Sequence, residues 1–263
     1  HPSTLFTKTC ISPPQKTHFI YIPNSNIDTI IKMSTKTGKI EWTFNVAAYA
    51  KSKNIPKWKA NYDPSRTTVD ASGNVWVGLR GSYYVLGVSP AGKAIALVRI
   101  GKTPRAMAID RSNNIWAGAY NDGQMVKIAK DANGEYQAVQ TIKPAAGQMR
   151  MCPYGATTDV HGNIWVSSRC GGTYDQAVKI DFKTGKILAY VAIPSIYGIQ
   201  ADRNGNVWPV SYAVPGINKG KLYQININTN TIVKSYLLNC RARGVTVDNV
   251  GDVWAACSHD VAG

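Results

Sequence analysis

Eight arginine and tyrosine side chains recur at two fixed offsets from a repeated aspartate and tryptophan, and a ninth stands one place off. Five residues ahead of each repeated Asp stand Ser65, Arg105, Tyr154, Tyr197 and Arg243, with Arg66 one place further along in the first repeat. Four residues after each repeated Trp stand Arg80, Tyr120, Arg169, Tyr212 and Ser258. Arginine presents a planar fork of donors to carboxylate, sulfate or phosphate, and tyrosine presents a flat face with a hydroxyl tip that stacks on sugars or rings. Recognition of an anionic, cyclic or glycan-like ligand is the chemistry these residues support. The competing reading is that guanidinium groups stacked on the tyrosines simply fill the opening. Acid–base catalysis would need a proton acceptor within reach of a substrate. The nearest carboxylates, Asp122, Asp175 and Asp260, fall in loops, and His259 is the one histidine close behind the last repeat. A tyrosine whose phenol is acidified by neighbouring arginine is the other option.

These side chains are positioned by a repeat. Five segments align without gaps, and in each an Asp stands six residues before a Trp: Asp70 and Trp76, Asp110 and Trp116, Asp159 and Trp165, Asp202 and Trp208, Asp248 and Trp254. Each segment reads as a short apolar strand, a tight Gly/Asn turn and a second short strand, the pattern of an antiparallel hairpin. Second hairpins follow downstream at turns such as Lys183-Thr184-Gly185-Lys186 and Ala132-Asn133-Gly134. Four strands per unit of about 40 residues predicts an all-β fold, a β-propeller of four-stranded antiparallel blades. The stretch from His18 to Phe44 fits the scheme with Tyr21 in the Trp place, but Pro13-Pro14 falls where an innermost strand would be, and proline cannot join a central ladder. The last unit has inner strands and no outer ones. Six blades are favoured, with five and a shared closing blade as the alternative, in one domain over residues 1–263. The repeated Asp is expected to cap its own turn through backbone N–H groups, since one carboxylate per turn is no calcium cage. The Trp residues are expected to be core, with indole N–H groups that need acceptors.

The blade motif, Pro153-Tyr154-Gly155 leading to Asp159, Gly162-Asn163 and Trp165 and then to the outer turn Lys179-Ile180-Asp181 with Thr184-Gly185-Lys186, resembles the streptogramin (virginiamycin B) lyase family of propellers and related NHL-type repeats. The resemblance runs from His18 to Cys257. It implies a lyase built on His and Glu residues with Mg²⁺ at the top of the central cavity, the His standing near the start of an inner strand. At the matching positions this chain has Arg105, Tyr154, Tyr197 and Arg243. Its histidines are His1, His18, His161 and His259, and His161 lies in the Asp-x-x-Gly turn at the other end of the hairpin. The family's catalytic residues are therefore not matched, and neither a metal nor a cofactor is expected. The Arg and Tyr residues are expected to line a central funnel at one end of the propeller axis; a lyase or hydrolase acting there, and a scaffold that binds protein at its rim, stand as alternatives to ligand recognition.

The connection from Val46 to Ser65 interrupts the repeat and carries Lys57, Trp58, Lys59 and Tyr62, with Lys51 and Lys53 before them. Loops of this length in compact domains commonly serve function, and this one is expected to extend the rim. With 30 Lys+Arg against 15 Asp+Glu, the net charge of +15 should attract polyanions. The expected partners are an anionic or carbohydrate-like ligand and, at the rim, another protein. Nucleic acid is the poorer expectation, because of the compartment that the cysteines imply. Cys152 with Cys170, and Cys240 with Cys257, bracket two inner hairpins at nearly the same repeat positions, so two disulfides are expected, with four buried thiols as the alternative and Cys10 left over. Such pairs belong to an extracellular or periplasmic protein. No run of 18 apolar residues suggests a membrane span and no basic-plus-apolar leader opens the chain, so His1 is expected to begin a processed chain, and trimming is expected at Gly263 too.

Overall fold

The computed structural model describes residues 18–172 and 175–258. The first sheet comprises β1 (Phe19–Asn24), β2 (Thr29–Ser34) and β3 (Ile40–Asn45), followed by α1 (Val46–Ser52). The second holds β4 (Pro64–Val69), β5 (Val75–Leu79), β6 (Tyr84–Val88) and β7 (Ala94–Arg99), and the third β8 (Pro104–Ile109), β9 (Ile115–Ala119), β10 (Gln124–Lys130) and β11 (Tyr136–Ile142). The fourth holds β12 (Pro153–Thr158), β13 (Ile164–Ser168), β14 (Gln176–Ile180) and β15 (Ile187–Ala192). The fifth holds β16 (Ile196–Ala201), β17 (Asn206–Ser211), β18 (Lys221–Asn226) and β19 (Thr231–Leu237), and β20 (Arg241–Val247) pairs with β21 (Val253–Ser258) in the sixth. All neighbouring strands within a sheet are antiparallel and consecutive in the chain. The innermost strands β4, β8, β12, β16 and β20 lie side by side in that order.

The spacing of six between Asp and Trp has a direct physical cause. Oδ1 of Asp70 accepts from the backbone N–H groups of Ser72 and Asn74 at 2.9 and 3.0 Å. Its Oδ2 accepts from Asn74 Nδ2 at 2.8 Å and from the indole Nε1 of Trp76 at 3.0 Å. The carboxylate thus closes the turn and also satisfies the one polar atom of the buried indole. The same indole bond recurs at 3.0 Å for Asp110, 2.9 Å for Asp159, 2.8 Å for Asp202 and 3.0 Å for Asp248. Three residues after each Asp the chain turns through positive φ at Gly73, Asn113, Gly162, Gly205 and Gly251, residue types that enter the left-handed region at least cost.

Four of the five repeat tryptophans, Trp76, Trp116, Trp165 and Trp208, are buried between sheets. Trp76 packs with Met107 and Ile115, Trp116 with Ile164 and Val166, and Trp165 with Ile199 and Val207. Third-strand lysines join the sheets further. Lys32, Lys127 and Lys179 donate across to the backbone carbonyls of Pro90, Phe182 and Ile227, in the outer turn of the following sheet, at 3.0, 3.0 and 2.6 Å. Lys127 and Lys179 face Trp116 and Trp165 across the ladder, and Lys32 faces Tyr21 in the same way, so β1 occupies the second-strand place, as Tyr21 suggested. Burial holds the Lys179 ammonium below the usual lysine range.

Among the described residues the strands fall into four complete four-stranded sheets, one three-stranded sheet at the start and one two-stranded sheet at the end. Trp254 is 61% exposed, whereas Trp76, Trp116 and Trp165 are fully buried, because no sheet lies beyond β21 among the described residues. Disulfides join Cys152 to Cys170 and Cys240 to Cys257, with Cα separations of 5.1 and 5.6 Å. Cys10 lies outside the described residues. The connection expected as a loop over Val46–Ser65 begins as helix α1, capped by Asn45, whose side chain accepts from the Ala48 N–H at 2.8 Å, and it buries Val46 and Ala50. No helix among the described residues is long and apolar enough to cross a membrane.

Replacing Asp159 by Ala removes the acceptor of a fully buried indole and of two turn amides, and should cost roughly 2–4 kcal/mol, at one to three kcal/mol per buried donor left unsatisfied. Urea denaturation should show a much smaller loss for Asp248→Ala, because water reaches Trp254. Equal losses at the two positions would contradict this account.

Candidate functional site

The strand ends that carry the recurring Arg and Tyr residues meet at one end of the sheets. The amides of Arg80, Tyr120, Arg169 and Tyr212 donate to the carbonyls of Asp63, Thr103, Cys152 and Ser195 at 3.1, 3.0, 2.9 and 2.8 Å. The residue after each second strand is thereby folded back onto the residue before, or at the start of, the first. The orientation shared by the residues of the first strands does not come from simple strand alternation. In every inner pair the register slips near the start of the first strand: between Pro64 and Thr67, Pro104 and Met107, Pro153 and Gly155, Ile196 and Ile199, and Ala242 and Gly244. Arg66, Arg105, Tyr154, Tyr197 and Arg243 each lie inside one of these slips. A bulge re-aims the side chain it carries, and here it does so five times at the same level.

The tyrosines form a chain of ring contacts, with centroids 6.0 Å apart for Tyr120 and Tyr154, 4.5 Å for Tyr154 and Tyr197, and 6.0 Å for Tyr197 and Tyr212. Guanidinium groups crowd these rings. Arg66 lies 5.3 Å and Arg105 3.8 Å from the Tyr154 centroid. Arg169 stands 5.6, 5.0 and 5.9 Å from Tyr154, Tyr197 and Tyr212. Arg243 is 5.1 Å and Arg241 5.5 Å from Tyr212. Arg105 donates to the Tyr154 hydroxyl, which donates to the Tyr197 hydroxyl at 2.5 Å, while the Tyr120 hydroxyl donates to the Arg169 carbonyl at 2.9 Å. The Nε of Arg105 is buried with no hydrogen-bond partner. Beside this cluster a cavity of about 180 Å³ is lined by residues of all five innermost strands, among them Arg66, Met107, Gly155, Tyr197 and Arg243.

One carboxylate in this region escaped the sequence reading. Asp63, at φ 58°, accepts from Arg80 through both oxygens at 2.7 and 2.6 Å and from Lys59 at 3.0 Å. Burial alone would raise its pKa, but those hydrogen bonds hold it below the usual carboxylate range. Its signal was faint: it lies outside the aligned segment, just before Pro64. The carboxylates singled out from the sequence serve loops. Asp122 accepts from the Lys102 amide at 2.7 Å and Asp175 from the Gly171 amide at 2.6 Å, while Asp260 and His259 lie outside the described residues. In the inserted segment, Trp58 donates to the Ser82 carbonyl at 3.3 Å, with Lys59 at 5.0 Å and Lys102 at 4.9 Å from its ring. Lys57 donates to the Ala60 carbonyl. Tyr62 is a correction: it is 6% exposed, packs in the core with Val77 and Leu79, and spends its hydroxyl on the Ile55 carbonyl at 2.9 Å, so it offers nothing to a rim.

Among the described residues no group of three His, Cys, Asp or Glu side chains could hold a metal ion. The residues present do not fit the Mg²⁺ that the family resemblance implies, since the one carboxylate among these strand ends is taken by two cations and the surroundings are guanidinium. Arg66, Arg105 and Arg169 form no ion pair with any described carboxylate. This positive field splits the two hydrogen-bonded phenols. Burial raises Tyr154, and its hydrogen bond to Tyr197 adds to the rise. For Tyr197 burial acts upward too, but the bond received from Tyr154 and the charges of Arg105, Arg243 and Arg66 outweigh it, and the phenol falls below its ordinary range. Ultraviolet titration should therefore show one phenolate appearing early. That early step should vanish in Tyr197→Phe and move to higher pH in Tyr154→Phe; a curve unchanged by both substitutions would refute the pairing.

No protein-family model matches the chain, and no curated protein matches it by sequence. Solved structures do match in shape. A catalytically inactive virginiamycin B lyase from Staphylococcus aureus aligns with a TM-score of 0.71 at 14% identity, over 91% of this chain and 74% of that one. A structure of streptogramin B lyase gives 0.62 at 16% identity, over 92% of this chain and 88% of that one. The Dos1 propeller gives 0.61 at 11% identity, over 91% and 67%. At such identities the likeness shows the fold alone, and that fold is a β-propeller.

Proposed function

We propose that the chain is a secreted or periplasmic recognition module that binds an anionic, glycan-like or cyclic ligand in a funnel formed by the Arg and Tyr residues. The observation that carries this reading is the charge imbalance around Tyr154: Arg66 and Arg105 lie over one ring with no ion pair to a described carboxylate, and Arg169, balanced in part by Asp175, adds to the positive field. Like charges held this close repel, and an anion relieves that repulsion while taking up forked hydrogen bonds. The tyrosine faces supply flat apolar contact for a ring. Both disulfides suit an oxidising compartment, where acidic polysaccharides are common ligands. A lyase role is the second reading. It is favoured by the lowered Tyr197 phenol, a candidate proton acceptor among cations, and by the neighbouring structures that carry the name lyase.

The test is retention on immobilised acidic glycans, polygalacturonate and chondroitin sulfate, against a neutral glucan. Wild type should be retained on at least one acidic matrix and released by salt. The double change Arg105→Ala with Arg243→Ala should weaken retention by about tenfold or more, the scale expected for losing two charge-assisted contacts. Retention that ignores those substitutions would defeat the funnel reading. Release of new reducing or unsaturated ends during the experiment would favour the lyase.

A further inference from the structure

The fold sorts the charges of the chain by end. Every inner hairpin turns at the end away from the Arg/Tyr cluster, and an Asp closes each of those turns, so Asp70, Asp110, Asp159, Asp202 and Asp248 all stand there. Asp131 and Asp181 close outer turns at that same end. The described carboxylates at the cluster's end are Asp28, Asp63, Asp122 and Asp175. Each is already occupied: Asp28 by the Tyr62 and Asp63 amides, Asp63 by Arg80 and Lys59, and Asp122 and Asp175 by the Lys102 and Gly171 amides. In the loops and strand ends here Lys and Arg outnumber these acids several times over, whereas the two signs nearly balance at the other end. Among the described residues one end therefore carries most of the net positive charge, and its field draws anions to that end alone.

At the rim of this end the inserted segment is fixed from several sides. The Trp58 amide donates to the Gly81 carbonyl at 2.9 Å, and the indole donates to the Ser82 carbonyl at 3.3 Å. Gly81 donates in turn to the Tyr62 carbonyl at 2.7 Å, and a Cβ there would stand 1.9 Å from the Asn61 carbonyl oxygen, so only glycine lets the segment lie this close. Asp28 holds the segment's far end through the Tyr62 and Asp63 amides at 3.0 and 2.8 Å. What this scaffold presents is the Trp58 ring, 37% exposed, with the Lys59 and Lys102 ammonium groups 5.0 and 4.9 Å from it. Lys102 comes from a different loop, between β7 and β8, and pairs with no described carboxylate.

We infer that this end of the propeller docks an acidic polysaccharide, with Trp58 as an outer sugar subsite and Lys59 and Lys102 as its acid-binding partners. This rests on the reading of the ligand as an acidic glycan, and it extends that ligand from a guest in the funnel to a chain that crosses the rim. A cation over an exposed indole is held by only about 0.5–1 kcal/mol. An acidic group of the polysaccharide therefore draws the ammonium aside, and the ring takes the apolar face of the sugar. An anionic bilayer fits less well, because the indole spends its N–H on the Ser82 carbonyl and is held against the sheets instead of standing out to insert.

Surface plasmon resonance on immobilised polygalacturonate and chondroitin sulfate tests the idea. Lys51→Gln, Lys53→Gln and Lys102→Gln made together at the rim should weaken binding about tenfold or more and flatten its dependence on salt, as loss of rim charge does. Lys39→Gln, Lys183→Gln and Lys186→Gln remove the same charge at the other end and should cost no more than about threefold, since salt screens charges that far from the ligand. Trp58→Ala should cost about tenfold, the loss typical of an aromatic anchor, and Trp58→Phe should keep most of the binding. Thermal melts check folding, and the lysine triples, which leave the segment's anchoring hydrogen bonds in place, carry the test should Trp58→Ala fail to fold. Equal losses from the two triples would overturn the inference, because net charge alone would then account for binding. Losses confined to Arg105→Ala with Arg243→Ala would overturn it and leave the funnel standing, whereas losses confined to the rim variants would uphold the docking end and sink the funnel. Sedimentation of wild type with phosphatidylglycerol vesicles, without binding to either polysaccharide, would overturn it in favour of a lipid surface. Binding to none of these probes would overturn both this inference and the glycan reading beneath it.

Discussion

The bond from indole to carboxylate within each inner hairpin is the constraint on which the remaining architecture rests. A tryptophan can be fully buried only if its N–H finds an acceptor, and a carboxylate can be buried only if donors surround it. Six residues of separation across a tight turn meet both needs at once, as Asp159 does for Trp165 and for the turn amides. The buried ring then becomes the surface on which the next sheet packs. Sheet-to-sheet spacing follows, and with it the side-by-side order of the inner strands whose first residues form the candidate site.

Repetition made this part of the molecule legible from residues alone. Turn chemistry, strand alternation and the Asp–Trp interval all agreed, and tertiary packing had no reason to override them. The end units were legible as incomplete for the same reason, through Tyr21 in the Trp place and the lack of outer strands after Trp254. Helix α1 was not foreseen, since seven residues cap and bury too little to register as an amphipathic pattern.

The clustering of the Arg and Tyr side chains was legible in part, and the mechanics that bring it about were not. Counting from Asp and Trp found Arg105, Tyr154, Arg169 and Tyr197, which do meet. Bulges, which depend on pairing two strands out of step, leave no trace in the one strand that carries the residue. Asp63 was missed because its importance comes from Arg80 and Lys59, partners seventeen residues after it and four before it, neither at a motif spacing. Tyr62 was read as rim because aromatic residues among lysines look exposed, whereas the Ile55 carbonyl and an apolar pocket draw it inward.

Coupling between sheets runs in one direction and one step at a time. Lys127 and Lys179 each grip the sheet that follows, and each buried indole leans on it, so a unit feels its neighbours and little else. Among the described residues the sixth sheet packs against the fifth alone, and its indole is 61% exposed. Arg243 rides on that hairpin, while Arg66 and Arg105 stand on strands that belong to complete four-stranded sheets. A ligand of the proposed kind would lean on a four-stranded wall at one side and a two-stranded wall at the other. Its capture would firm the smaller wall, so that occupancy and the solidity of this hairpin would rise together.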